Sequence, residues 1–219
     1  MNTSNTVLLS TMFCPPVQYF SKILHFDHIW VEHRENYQKG SYRNRCHIAS
    51  ANGLLRLSVP LVKGKNHQTP IWEVRIDYKT NWPAKQWEAI TYAYGSAPYF
   101  EEYAAFLAPL LNGTKQFEYL TEYNSALLKV FLKLLNLKKS IFYTEDYHFT
   151  PPAGVQDLRQ IISPKIELSN DPGFYPDPYP QVFNYKYPFM ENLSVMDLLF
   201  CTGPQALLVL QKSIRRISE

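Results

Sequence analysis

The chain has 219 residues, of which 46% are hydrophobic, 15% aromatic and 19% charged, and its formal net charge is +3. The hydrophobic fraction is ordinary for a globular protein, and the basic excess is too small to indicate nucleic-acid binding by itself. Three cysteines far apart in the sequence, Cys14, Cys46 and Cys201, argue against a disulfide scaffold and a cysteine-based zinc site. They indicate a reducing compartment. Because no signal peptide or membrane-spanning run is seen, we expect a cytoplasmic protein without membrane insertion.

The N-terminal segments predict the opening of a βαβ unit. Residues 7–12 form a short apolar, β-prone run that ends before Pro15, and residues 17–26 carry apolar side chains at helical spacing. Residues 28–32 return to a strand-like pattern. Units of this kind build parallel sheets, so we expect a parallel sheet here.

A hairpin is predicted next in the chain. Asn52-Gly53 lies between two apolar runs, which predicts that residue 48 and residues 54–61 pair across a tight turn. Residues 71–77 alternate between apolar and polar side chains and predict a further strand.

Three helices follow the hairpin. The first has Asn81 near its N-cap and Pro83 in its first turn, and the second runs to Asn112. The third covers residues 125–137, where apolar residues recur on one face. Residues 141–144 then predict a buried strand.

The C-terminal third is unlike the rest. Residues 147–190 hold half of the chain's 16 prolines and many tyrosines, which prevents long helices or central strands. Two interpretations compete: an extended arm that packs on the core by its aromatic side chains, or a functional lid, and we favour the arm. Ser194 with Asp197 predicts the start of a C-terminal helix, which Gly203-Pro204 interrupts.

Together these elements predict an α/β fold of the Rossmann-like kind. We expect a mostly parallel sheet with a hairpin insertion, flanking helices and a long Pro/Tyr-rich C-terminal arm. The whole chain, residues 1–219, is predicted to be one domain. Its parts are an α/β core over residues 1–146, the arm over residues 147–190, and helices over residues 191–219 that pack on the core.

The densest chemistry lies in the basic segment, residues 32–47. It has almost no aliphatic residue and follows a predicted parallel strand; ligands of open α/β sheets bind beyond the carboxyl ends of such strands. Its arginines and lysine suit a phosphate or carboxylate ligand. The alternatives are a solvated basic loop, or a structural role in which Arg43, Asn44 and Arg45 tie the hairpin to the loop.

Other candidate groups are weaker. Cys14 lies near a predicted helix start and is a thiol nucleophile or, more commonly, a buried side chain. Glu32 and His47 are candidates for proton transfer. Tyr94 and Tyr99 flank a helix-to-helix corner, which is either a packed corner or part of a ligand site. No metal motif occurs, and the turn over residues 13–19 lacks the glycines of nucleotide-binding loops, so the cofactor stays unidentified.

Several segments together resemble the WbqC-like family. They are Pro16-Val-Gln-Tyr-Phe-Ser-Lys22, Tyr37-Gln-Lys-Gly-Ser-Tyr-Arg-Asn-Arg45 with Leu57-Ser-Val-Pro60, Tyr94-Gly-Ser-Ala-Pro-Tyr-Phe100, and Asn192-Leu-Ser-Val-Met-Asp-Leu-Leu-Phe200 with Gly203. The chain departs from the family where Phe13-Cys14-Pro15 stands in place of His-Gln-Pro. The resemblance implies a link to bacterial surface-polysaccharide gene clusters and a sugar-modifying acyl or aminoacyl transfer.

Two functions remain in competition. The first is a transferase acting on an anionic, phosphate- or nucleotide-linked metabolite, with Glu32 and His47 as candidate catalytic residues. Its candidate ligand-binding residues are Tyr37, Gln38, Lys39, Ser41, Tyr42, Arg43, Asn44, Arg45, Tyr94 and Tyr99. The second is a binding module for RNA or an acidic partner, which needs a groove continued by Lys63, Lys65, Arg215 and Arg216. The oligomeric state is not specified by the sequence.

Overall fold

The computed structural model describes residues 5–63, 67 and 69–215. Within these residues, parallel strands form one sheet, a hairpin forms a second, and α-helices pack around them. The strands are β1 (Thr6–Ser10), β2 (His28–Glu32), β3 (Arg45–Ser50), β4 (Gly53–Ser58), β5 (Ile141–Tyr143) and β6 (Val155–Asp157). The helices are α1 (Val17–His25), α2 (Trp82–Tyr94), α3 (Phe100–Leu111), α4 (Leu120–Leu134), α5 (Val195–Thr202) and α6 (Ala206–Lys212).

The parallel sheet has the strand order β5-β2-β1-β6. Ser10 at the end of β1 lies opposite Glu32 at the end of β2, and Leu8 of β1 lies opposite Asp157 of β6. The chain therefore builds outward from β1 through β2 to β5 and returns to the other side of β1 for β6. All five residues of β1 are buried, as expected for the inner strand of a parallel sheet. The prediction of a mostly parallel sheet with flanking helices is confirmed.

The main apolar core lies on the α1 side of this sheet. Alternate residues of β1, Val7 and Leu9, belong to that core, and α1 supplies Phe20 and Ile23. The ring of Phe20 contacts Phe131 of α4 edge-on, with centroids 5.9 Å apart. No helix of the described residues is long and apolar enough to cross a bilayer.

The hairpin forms as predicted, with Ile48 of β3 opposite Leu55 of β4. Gly53 follows the turn with a φ of +94°, a conformation that glycine adopts without steric cost.

The strand predicted over residues 71–77 is wrong. Ile71–Glu73 forms a 3-10 turn, after which Arg75 and Ile76 make isolated bridges to Tyr119 and Leu61. Ile71, Val74 and Ile76 of this segment are buried without a continuous partner strand. The alternation of apolar and polar residues therefore reflects packing against the core, and not the hydrogen-bonded pairing of two strands.

Residues 147–190 are not a single extended arm. They contribute β6, which forms an edge of the parallel sheet and follows Gly154. A strand of three residues with one aliphatic side chain has no periodic pattern, which is why the sequence did not reveal it. Phe174, Tyr179 and Phe183 from the same segment are buried in the core. A boundary at residue 146 therefore separates strands of one sheet.

The C-terminal helices return to the first βα turn. The backbone N–H of Val17 donates to Leu193 O, and that of Val195 donates to Pro15 O, both at 2.9 Å. The Ser194 hydroxyl caps α5 by accepting from Met196 N–H. After α5, Gly203 has a φ of +53°, and a Cβ there would lie 2.5 Å from the Tyr99 ring, so any larger residue would displace that ring.

Asp197 of α5 is the buried polar centre of this C-terminal region. Its carboxylate accepts hydrogen bonds from the hydroxyls of Tyr94 (2.8 Å) and Tyr179 (2.7 Å) and from the Gln181 amide (3.1 Å). The Tyr94 hydroxyl in turn accepts from the backbone N–H of Ala49 at 3.0 Å. Complete burial raises the pKa of Asp197 from 3.8 to about 6, because desolvation outweighs the three hydrogen bonds that lower it.

We expect Asp197→Asn to change the pH dependence of stability. Since the folded-state pKa is raised, the protonated carboxyl stabilises the fold below about pH 4, and this contribution is lost as pH rises through about 6. The rise from 3.8 to about 6 corresponds to roughly 3 kcal/mol. The unfolding free energy of the wild type relative to Asp197→Asn, measured in urea, is therefore expected to fall by about that amount between those pH values.

Tyr94→Phe provides the companion measurement. It removes a hydrogen bond that lowers the pKa of Asp197, so the pH-dependent loss is expected to move to higher pH. A difference between the wild type and Asp197→Asn that stays constant with pH would contradict this description of the carboxyl group.

Candidate functional site

The carboxyl ends of the parallel strands meet at a buried network of ion pairs, hereafter the strand-end network. Arg159 lies two residues after β6, and its Nη1 donates to Glu32 Oε2 at 2.9 Å. It also binds Asp157 through two hydrogen bonds, Nε to Oδ1 at 3.0 Å and Nη2 to Oδ2 at 2.7 Å. The other oxygen of Glu32 accepts from the Thr144 hydroxyl and from the backbone N–H of Arg34. The place where open α/β sheets usually bind ligands is therefore filled by the protein's own side chains.

Arg43 extends this network from the basic segment. Its Nε and Nη2 donate to both carboxylate oxygens of Glu35, and Nη2 also donates to Ser10 Oγ at 2.8 Å. The Ser10 hydroxyl donates to the carbonyl of Arg159 at 3.2 Å, which links the two arginines. Burial raises the pKa of Glu35, and the Arg43 guanidinium opposes that rise.

These contacts define the surroundings of two predicted site residues. Glu32 was a candidate for proton transfer, and its carboxylate is paired with Arg159. Arg43 was expected to hold a ligand, but its side chain is 3% exposed and paired with Glu35. Both are held in place by neighbours that satisfy their charge.

Asn44 joins the basic segment to the hairpin. The Tyr37 hydroxyl donates to Asn44 Oδ1, and Asn44 Nδ2 donates to the carbonyl of Val59, both at 2.9 Å. The backbone N–H of Val59 returns a bond to Asn44 O at 2.8 Å. In the same segment the Ser41 hydroxyl donates to Gln38 O and accepts from Arg43 N–H. Asn44 therefore ties the basic segment to the end of the hairpin.

Beside this junction lies a cavity of about 490 Å³, hereafter the Arg45 cavity. It is lined by Tyr37, Lys39, Asn44, Arg45, Ser58, Val59, Pro60, Leu61 and His67. Among these described lining residues none is acidic. The Nε of Arg45 is buried and has no hydrogen-bond partner within the described part of the chain. A buried guanidinium N–H without an acceptor is unfavourable, so this N–H of Arg45, a residue of the cavity wall, lacks an acceptor atom.

The remaining predicted residues lie elsewhere. His47 contacts the buried Tyr42 ring edge-on at 5.6 Å, and burial together with Arg45 and Arg56 lowers the pKa of His47. Tyr94 is engaged with Asp197, and Tyr99 packs against Gly203. The structure therefore brings Tyr37, Lys39, Asn44 and Arg45 together at one cavity, and it does not bring Glu32, Gln38, Ser41, Tyr42, Arg43, His47, Tyr94 or Tyr99 to its wall.

Cys14 occupies the turn after β1 in a strained conformation, with a φ of +42°. Its thiol is fully buried next to Cys46, and this burial, with the hydrogen bond to Cys46, raises the pKa of Cys14 well above its ordinary value. A buried thiol with a raised pKa is a poor nucleophile. The packing role of Cys14 therefore fits the structure better than the nucleophile role.

Sequence reasoning missed the residues that complete the strand-end network. Arg159, Asp157 and Thr144 lie more than a hundred residues after Glu32, and two of them fall in the segment predicted as an arm. The one available signal was a pair of charges two residues apart, directly after Val155-Gln156. For residues 58–61 of the cavity wall, the only signal in the sequence was the segment Leu57-Ser-Val-Pro60, which carries part of the family resemblance.

Comparison with known proteins places these observations in a family. A model of the WbqC-like protein family matches residues 11–164, which is more than half of the chain. The chain belongs to this family. The resemblance inferred from the motifs is thereby confirmed, and the matched region contains the Arg45 cavity and the strand-end network, from Glu32 to Arg159.

One curated relative also resembles this WbqC-like protein. It is the Uncharacterized protein Rv1507c of Mycobacterium tuberculosis, 31% identical over 141 residues. The match covers 64% of this chain and 60% of the relative, so the chain spans less than two thirds of the relative's length. No solved structure matches the chain significantly.

The strand-end network predicts a large stability effect for Arg159. Arg159→Met is expected to lower the unfolding free energy by about 3–5 kcal/mol, because it leaves the buried carboxylate of Glu32 without a cation. The measurement is a urea denaturation curve at neutral pH.

Arg75→Met is the matched control. Arg75 pairs with Glu118 at 2.8 Å, but the two side chains are 61% and 53% exposed. Breaking this exposed pair is expected to cost less than about 1 kcal/mol. Equal losses for the two variants would show that the strand-end network is not a buried charge cluster in solution.

Proposed function

We propose that this WbqC-like protein is a transferase that acts on an anionic, phosphate- or nucleotide-linked metabolite, in the modification of a sugar for surface polysaccharide. The anion would bind in the Arg45 cavity. The observation that carries the proposal is Arg45, which lines a cavity large enough for a small molecule and whose buried Nε has no hydrogen-bond partner among the described residues. A phosphate or carboxylate oxygen supplies the acceptor that this nitrogen lacks.

The charge of the cavity supports an anionic ligand. Arg45 and Lys39 are on its wall, and Glu32 and Glu35, the acidic residues of the basic segment, are paired with Arg159 and Arg43. Because those carboxylates are already compensated, they do not neutralise the cations that line the cavity.

The cavity also has groups that can orient a substrate. The Asn44 side chain is fixed by Tyr37 and Val59, which limits its movement when a ligand binds. Preorganised donors and acceptors lose little conformational entropy on binding. Sugar hydroxyls or the edge of a base are suitable partners for such a rigid amide and phenol pair.

We propose His47 as the acid–base group of the reaction, although it does not line the Arg45 cavity; the reacting end of the substrate would extend beyond the cavity wall along β3 to reach it. His47 lies two residues after Arg45 on β3, so the two side chains project from the same face of the hairpin. Its pKa is lowered, first by burial and then by Arg45 and Arg56, so the ring is neutral at pH 7 and able to accept a proton. Glu32, the other predicted proton carrier, is held by Arg159 and Thr144 at the strand ends.

A thermal-shift screen with nucleotide sugars, acyl-CoA, ATP and short RNA tests the proposal. We expect a small anionic metabolite to stabilise the wild type, by roughly 2.7 kcal/mol when it is present at 100 times its dissociation constant. Arg45→Gln is expected to abolish this stabilisation, since it removes the cation and the unpaired N–H.

Arg75→Gln is the control, because Arg75 is an exposed arginine that does not line the cavity. It should leave the ligand-induced shift intact. A shift that survives Arg45→Gln would reject the assigned cavity. If RNA alone stabilises the protein, the transferase proposal fails and the binding-module hypothesis replaces it.

A further inference from the structure

We propose that a second cavity, walled by His33 and one face of α4, binds a small anion that also carries hydroxyl groups, such as a phosphorylated polyol. The proposal goes beyond the function assigned to the Arg45 cavity. It rests on the residues that line this cavity, on a nitrogen of one of them, His33, that has no partner among the described residues, and on the hydroxyl and ammonium groups of the others.

The cavity lies where the carboxyl end of β2 meets α4, and its volume is about 600 Å³. Thr121, Ser125 and Lys129 follow one another at intervals of four residues, so they form one row along the helix. The other lining residues are His33, Leu110, Lys115, Phe117, Glu122, Ala126 and Val130. No described residue is shared with the wall of the Arg45 cavity.

His33 is positioned firmly at this cavity. Its backbone N–H donates to the Thr144 hydroxyl at 2.9 Å, and its ring packs on Tyr143 with centroids 4.3 Å apart and planes inclined by 31°. The imidazole therefore has a fixed orientation. Its Nε2 is nevertheless buried without a hydrogen-bond partner in the part of the chain that the structure describes. An unpaired buried nitrogen is unfavourable, and a ligand oxygen in the cavity would satisfy it.

The charge state of the His33 ring determines which kind of ligand group can form a hydrogen bond with it. Burial, assisted by the neighbouring Arg34, lowers the pKa of His33 to about 4, so the ring is neutral at pH 7. A neutral imidazole nitrogen pairs with a hydroxyl, which can donate or accept as the tautomer requires. Thr121 and Ser125 add two hydroxyls on the facing helix row.

The outer part of the cavity has a different character. Lys115 and Lys129 are both exposed there, against the single carboxylate of Glu122. The excess of cations favours a phosphate or carboxylate at the opening. A ligand with an anionic end and a hydroxylated end matches this division between the lysines and the inner hydroxyl and imidazole groups.

Glycerol 3-phosphate is the probe for the test, with inorganic phosphate as a comparison that lacks carbon-bound hydroxyls. We expect titration calorimetry of the wild type to show saturable binding of glycerol 3-phosphate and weaker binding of phosphate. We also expect the imidazole ¹⁵N resonances of His33 to shift on addition of glycerol 3-phosphate. His33→Phe should weaken binding about tenfold, and Ser125→Ala severalfold.

Matched controls come from the same elements of the fold. His28→Phe changes an exposed histidine at the start of β2, and Ser140→Ala changes an exposed serine after α4. Both should leave the affinity unchanged. Ser125→Ala and the wild-type His33 resonances keep the test decisive if His33→Phe does not fold.

Three results would overturn the proposal: no binding to the wild type, binding without a change at His33, or affinity unchanged in both His33→Phe and Ser125→Ala. Arg45→Gln separates the two sites. If it removes glycerol 3-phosphate binding while His33→Phe and Ser125→Ala retain it, the probe occupies the Arg45 cavity, and this inference fails while the proposed function stands. If binding persists in Arg45→Gln and no nucleotide sugar, acyl-CoA or ATP stabilises the wild type, the second cavity stands without the proposed function.

Discussion

The fold depends on the buried pair of Arg159 and Glu32. Glu32 ends β2 and Arg159 follows β6, so this pair connects strands on either side of β1 at their carboxyl ends. Asp157 and Thr144 complete the hydrogen bonding of the pair. Two buried charges are tolerated in such a place only when each is compensated. The carboxylate of Glu32 is paired with Arg159 only when residues 147–159 lie against the sheet in this arrangement.

Because of this network, the candidate ligand sites do not lie in a central crevice between the carboxyl ends of the parallel strands. A doubly wound sheet normally leaves a crevice at its strand ends for a ligand. Here Arg159, Arg43 and their acidic partners occupy that position, and the two candidate cavities have separate walls. One is lined by Arg45 at the start of β3, and the other by His33 just after β2. The same charge compensation occupies the acidic residues of the basic segment, Glu32 and Glu35, so that neither is paired with Lys39 or Arg45 among the described residues.

The segments that carry the family resemblance serve mainly to assemble the fold. Lys22 and Gln18 hold the buried carboxylate of Asp171 at 2.7 and 2.8 Å, which ties α1 to the region after β6. Tyr94 and Asp197 join α2 to α5. Backbone hydrogen bonds link Ser194 to His47 and Tyr99 to Phe200. Motifs that are distant in sequence thus bind one another in the fold, which explains why they occur together without all lining a cavity.

The sequence by itself determined the order and type of the local elements, because periodic burial, Asn52-Gly53 and Pro83 act over a few residues. It predicted β1, α1, β2, the hairpin and the three central helices, and it named Tyr37, Lys39, Asn44 and Arg45 among the candidate ligand-binding residues. Only the tertiary structure decided that β6 joins the sheet and that Glu32 pairs with Arg159. Only it could show which of the basic segment's arginines is compensated and which faces a cavity. The physical reason is that long-range packing determines the partner of a buried charge, and the spacing of residues along the chain does not predict that partner.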